Sequence, residues 1–340
     1  MKALHKMAGF AASTLVATTL SFSAVAADKT LTISSWAPPT HGINAIMWPK
    51  FIEMIEEATE GRVTAQIKYK LAPPPAQFDI VQDGAADITW IFHGYNPGRF
   101  VATKMIELPG YEGSAEAASV AYWRAYEKFL ADANEHKGVK LIALHTHGPG
   151  VLHSATKVTS LDQIEGMKLR LGGGVSGDVG TALGATGIRV PAPKVYETLA
   201  SKAADGVMMP MEGKRGFKLT EVAQHTFEVP GGFYRGSFAA IMNQDAFDGL
   251  SEQDQKALET VFGEPLSRMA GSVWDEIDRM GREASEAAAD NSITTASAED
   301  TAAYDEIAGP IIEKVLGEVS AKGIDAKAVQ AFIAAEMKAN

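Results

Sequence analysis

The chain has no cysteine. Disulfides are therefore excluded, as is a lipid anchor carried on a cysteine, a pattern that fits an exported bacterial protein managing without cross-links. Positive charge is scarce as well: 31 lysines and arginines stand against 42 acidic residues, a net of −11. A surface this acidic argues against nucleic acid, whose phosphates require clustered Lys and Arg. Past the first two dozen residues no apolar run is long enough to span a bilayer, so no stable membrane insertion is expected. Internal repeats and low-complexity linkers are missing too. No Ser/His/Asp or paired-carboxylate spacing stands out, which makes an enzyme the weaker class, although such sites are often assembled from distant segments.

What is present begins with an export leader. Lys2 and Lys6 form a basic start, Met7 to Phe22 is apolar and small, and Ala24-Val25-Ala26 is an A-x-A cleavage site. Ser13, Thr14, Thr18, Thr19, Ser21 and Ser23 interrupt the run too often for a membrane-spanning helix. Residues 1–26 carry two lysines and no acid, so without them 29 basic residues face 42 acidic ones, a net of −13. The remaining length of more than 300 residues suits two lobes rather than one small core.

Periodicity alternates along the chain. Leu31–Ser35, Val63–Tyr69, Asp87–Phe92 and Val139–His145 read as strands; Ile46–Thr59, Phe78–Gly84 and Ala115–Ala133 read as helices. Strands alternating with helices imply parallel sheets covered on both faces. The last third is mostly helical. Ser251-x-x-Asp254 is a capping-box-like start, and Pro265 opens a helix running to about Asp290, longer than a single small lobe needs. Helices over Thr301–Leu316 and Asp325–Lys338 follow.

The most informative stretch is Leu161 to Pro210. A strand Met167–Leu171 carries Arg170, three glycines follow at once, and the order helix, strand Ile188–Val190, helix and a strand from Asp205-Gly206 makes a βαβαβ unit. Open sheets of this kind bind ligands at the carboxyl ends of their strands. A buried guanidinium must meet an anion, and its fork of donors matches a carboxylate. That anion is either a protein carboxylate or a ligand; spacing alone leaves both open. Gly172, Gly174 and Gly177 read G-x-G-x-x-G, but the acid expected about 20 positions later falls in a helix, which weighs against a dinucleotide. The glycines are better read as letting backbone N–H groups approach the carboxylate that Arg170 holds. His145, His147 and His153 keep a metal receptor as a minor alternative.

The Gly166-Met167-Lys168-Leu169-Arg170 strand, the later Asp205-Gly206 strand, and the stretches GRVTAQIKYKL and VQDGAADITWIFHGYNPGRF resemble the extracytoplasmic solute-binding proteins of tripartite ATP-independent periplasmic (TRAP) transporters. The resemblance implies an α/β, two-lobed periplasmic binding-protein fold with a hinge and a long lobe-spanning helix. Expected boundaries are 27–147 with about 236–275 for lobe I, and 148–235 with about 276–340 for lobe II. It further implies an arginine clamp on a substrate carboxylate at Arg170, membrane permease subunits as partners, a periplasmic location, and neither enzyme activity nor a cofactor. The candidate ligand contacts are Arg170, Trp36, Phe78, Phe92, His93, His147, Met209, Glu212 and Phe233. The chain departs from its family where many members place a polar residue, often Asn: Met209 stands there and Glu212 is the next polar group. One cation, one nearby anion and an apolar wall favour a monocarboxylate, or a zwitterion whose ammonium meets Glu212, over C4-dicarboxylates and sugar acids.

Overall fold

A computed structural model describes residues 27–340; the expected leader, 1–26, lies outside the described residues. Two sheets carry the architecture. The first has the order β2-β1-β3-β10-β4, with β1 Lys29–Ser35, β2 Val63–Tyr69, β3 Ile88–Phe92, β4 Lys140–Thr146 and β10 Ser237–Met242. The second has the order β11-β9-β5-β8-β6-β7, with β5 Val151–Ser154, β6 Lys168–Leu171, β7 Thr186–Arg189, β8 Gly206–Met209, β9 His225–Glu228 and β11 Ser292–Thr295.

The sheets are mixed, not wholly parallel. β10 runs antiparallel to β3 and β4, and β5 antiparallel to β8 and β9. The reason is the chain path. It passes from the first sheet to the second at 147–150 and returns at 229–236, so the incoming strands run against their new neighbours. The two crossings pair with each other, Gly150 N–H on Tyr234 O and Phe233 N–H on Gly150 O, both at 2.8 Å.

The helix Glu264–Ala287 ties the lobes together. Pro265 sits in its first turn, where a missing N–H costs nothing. At about 1.5 Å per residue it is ~36 Å long. Gly271 packs it on the helix Ala115–Ala125 of the first lobe, since a Cβ there would lie 2.6 Å from Ala115 O. One turn further, Asp275 accepts the first N–H groups of that helix, Ala115 at 2.7 Å and Glu116 at 2.9 Å. Toward the other lobe, Asp278 accepts Glu212 N–H at 2.8 Å, and a Cβ at Gly281 would run into Met211 O. The last helix, Ala326–Ala339, packs against Ala115–Ala125 and so sits with the five-stranded sheet, whereas the sequence boundaries assigned it to lobe II. Its buried face, Val329, Ile333 and Met337, belongs to the core that already holds Ala118, Ala121 and Tyr122.

Candidate functional site

Arg170 lies on β6, between β7 and β8, and is 3% exposed, while Lys168 two residues earlier is exposed. The strand begins at the surface and runs inward to the gap between the lobes, which separates two residues of the same strand face. Arg170 Nε donates to Val190 O at 2.8 Å and Nη2 to Tyr95 Oη at 3.2 Å. Among the described residues it forms no ion pair with a carboxylate. The anion that a buried guanidinium calls for is not supplied by the protein.

The guanidinium borders a narrow cavity between the lobes. Trp36, Phe92, His147, Met209 and Glu212 line it as well. Trp36 follows β1 and stacks on Trp90 with centroids 3.9 Å apart, and its Nε1 donates to Trp90 O at 3.0 Å. Phe238 of β10 and Trp274 of the long helix extend this aromatic wall, and Trp274 is oriented by its bond to His145 Nδ1 at 2.9 Å.

Three of the sequence-derived contacts lie elsewhere. Phe78 is fully buried under Arg99, whose guanidinium sits 3.4 Å from its ring centroid. The ring belongs to a helix packed behind the sheet, not to a strand end. His93 turns away into a polar cluster, Nδ1 on Ser237 Oγ at 2.6 Å and Nε2 on His136 Nε2 at 2.9 Å. Phe233 packs edge-on against Tyr304 at 5.0 Å; its neighbour Tyr234 lines the cavity instead, because adjacent residues of an extended segment face opposite ways. The glycines are likewise reassigned. Only Gly172 lines the cavity. Gly173 and Gly174 hold φ of 99° and 61°, and the helix they lead into, Val175–Ala182, donates Val175 N–H to Glu107 Oε2 at 2.8 Å. The protein's own carboxylate occupies that helix start.

The polar groups at the cavity have a definite protonation logic. His41 Nδ1 accepts Ile43 N–H at 3.2 Å, so the ring proton sits on Nε2, 3.0 Å from Glu212 Oε2. That contact is close but poorly directed, and Oε2 remains without a hydrogen bond. Glu212 is 3% exposed and lines the cavity, with Oε2 against His41 and lacking a directed donor. His147 Nδ1 donates to Gly148 O at 2.5 Å, and burial, aided by Arg235, drives its pKa down to about 3. It is neutral, with Nε2 left as an acceptor. Burial raises Asp278, beneath Glu212, well above the ordinary carboxylate range. His153 is held by Thr226 and Pro210 O, apart from His145 on Trp274; among the described residues no group of three His, Asp or Glu could hold a metal.

The family model for bacterial extracellular solute-binding protein, family 7, matches residues 34–318. The chain belongs to this family. Its fold superimposes on a TRAP periplasmic solute-binding protein from Bordetella bronchiseptica with bound (R)- and (S)-mandelate, at TM-score 0.88 and 40% identity over 91% of this chain and 98% of that one. A TRAP solute-binding protein from Rhodoferax ferrireducens in complex with copurified benzoate matches at TM-score 0.85 and 26% identity, covering 91% and 97%. The outer membrane transporter protein TsaT of Comamonas testosteroni is 29% identical over 320 residues, 93% of this chain and 94% of that protein. As a TRAP solute-binding protein the chain is a two-lobed transport receptor. No helix of the described residues is long and apolar enough to cross a membrane.

Tyr95, His41, Phe238 and Trp274 also line the cavity and were not among the candidate contacts drawn from sequence. His41 stands in the turn after β1 beside Trp36, where a polar residue at a strand end was a readable signal. Phe238 and Trp274 gave none, since only the fold brings β10 and the long helix to the same gap.

Proposed function

We propose that this chain is the periplasmic receptor for a small aromatic monocarboxylate, clamped at Arg170 between closing lobes and handed to the permease without being chemically altered. The observation that carries this reading is a buried cation with no protein counter-ion, set in a wall of Trp36, Trp90, Phe92, Phe238 and Trp274. A carboxylate on Arg170 gains charge-assisted, paired hydrogen bonds, and the rings bury an apolar body. Glu212 works against a second carboxylate, which would meet an anion in a site with little water. The mandelate and benzoate of the two structural neighbours are acids of this kind. The leader 1–26 supports export to the periplasm, with cleavage after Ala26 or Ala27.

The Glu212 carboxylate, lacking a directed donor, also supports a second reading, an aromatic zwitterion whose ammonium meets it. A thermal-shift panel separates the two. Mandelate and benzoate are expected to raise the melting temperature strongly and succinate hardly at all. A larger shift from phenylglycine or phenylalanine would favour the zwitterion, and stabilisation by succinate alone would overturn both.

A further inference from the structure

We infer that Tyr95 gives the ligand carboxylate a second hydrogen bond and delivers it from the lobe opposite Arg170. The inference rests on the reading that an acid is held at Arg170. Tyr95 ends the single turn that follows β3, in the five-stranded lobe. Its hydroxyl crosses the gap and accepts two bonds from the other lobe, Ala192 N–H at 2.8 Å and Arg170 Nη2 at 3.2 Å. With both acceptor positions of a phenol oxygen filled, its own hydrogen is the part left over. That hydrogen takes no acceptor among the described residues, although Tyr95 lines the cavity beside Arg170. The ring is held in place by Phe92, edge-on at 4.8 Å and 77°, and by Trp36 at 6.0 Å and 72°.

The free O–H therefore points to where an anion on Arg170 would sit. A carboxylate there bridges the lobes, one oxygen or both shared between Arg170 of one and Tyr95 of the other. An uncharged ligand leaves the O–H unpaired in a closed, largely apolar space, which disfavours closure on it. Tyr95 thus makes closure depend on an acid group, in addition to holding the acid.

The test is Tyr95→Phe, which removes the hydroxyl and keeps the ring. Wild type and variant are titrated by calorimetry with mandelate, benzoate and succinate, and the comparison uses whichever acid wild type binds most tightly. Tyr95→Phe is expected to weaken that acid about 10- to 100-fold, as loss of one bond to a charged group does. The ligand-free scattering profile should stay as in wild type, and the ligand-free melting temperature should fall by no more than the loss of the two bonds accepted from Ala192 and Arg170 gives. Affinity kept within about twofold would overturn the proposal. So would a loss accompanied by a changed ligand-free scattering profile, since the phenol would then set the lobe arrangement rather than hold the acid. Tightest binding of succinate by wild type would instead count against the aromatic-acid reading, and the Tyr95 comparison would still run on succinate.

Discussion

Arg170 is held by its Nε on Val190 O and meets Tyr95 through Nη2 across the gap, which leaves the other N–H groups for a ligand. Arg170→Ala is expected to lower acid affinity by two to four decades, since breaking a buried charge pair costs roughly 3–5 kcal/mol. Circular dichroism should show the fold retained, because no protein carboxylate loses a partner. A loss under about tenfold would make the residue structural. In the reading proposed above Glu212 acts in the opposite direction, as a barrier to a second carboxylate. Glu212→Gln keeps the shape and removes the like charge, so succinate affinity measured by calorimetry should rise by roughly tenfold, ~1.4 kcal/mol. Unchanged or weaker succinate binding would show that Glu212 does not exclude dicarboxylates.

Among the elements, the helix Glu264–Ala287 sets how the lobes meet, through Asp275 on one and Asp278 on the other. Gly281 lets it approach the turn that holds Glu212. Gly281→Ala forces an overpacked contact with backbone, which typically costs ~1–3 kcal/mol. A drop of several degrees in melting temperature is expected, with weaker acid binding because Glu212 N–H is displaced from Asp278. Gly309→Ala, with open space around the position, is the control and should be neutral or slightly stabilising. Equal melting temperatures for both variants would show that the close approach is not required. The brace itself was readable, because Leu266, Met269, Val273, Ile277 and Met280 repeat at helical spacing after Pro265. β2 was readable to the residue, Val63 to Tyr69, because one face alternates against β1. β5, β9 and β11 were not. Each is four residues long, and β5 reads Val151-Leu152-His153-Ser154, buried throughout, so no alternation marks it. Arg170 was legible because an inward-facing cation in an apolar strand demands a partner. Tyr234 was passed over for Phe233 because a register error of one residue reverses the face.

For the molecule as a whole, burial of histidine governs its response to acid. His136, His145, His147 and His153 are each pushed down to about 3 by burial, and His93 also falls well below its usual value. Below pH 6.5 the unfolded chain protonates these rings while the native state does not, so stability falls as pH falls. Glu107, lifted by burial to about 7, and Asp278, also raised, act the other way, since the native state then binds their protons more readily than the unfolded chain. The lowered histidines, His225 among them, outnumber the two raised carboxyls, so unfolding takes up protons over this range and stability falls as pH falls. The melting temperature is expected to drop steeply between about pH 6 and pH 5; a flat profile there would mean these rings are charged or accessible in the native state. The proposal that this receptor traps aromatic monocarboxylates is tested most directly by competitive calorimetry of benzoate or mandelate against succinate on the wild-type protein. One-to-one binding of the aromatic acid, with succinate weaker by about 100-fold or more, is the predicted result; tighter binding of succinate would contradict it.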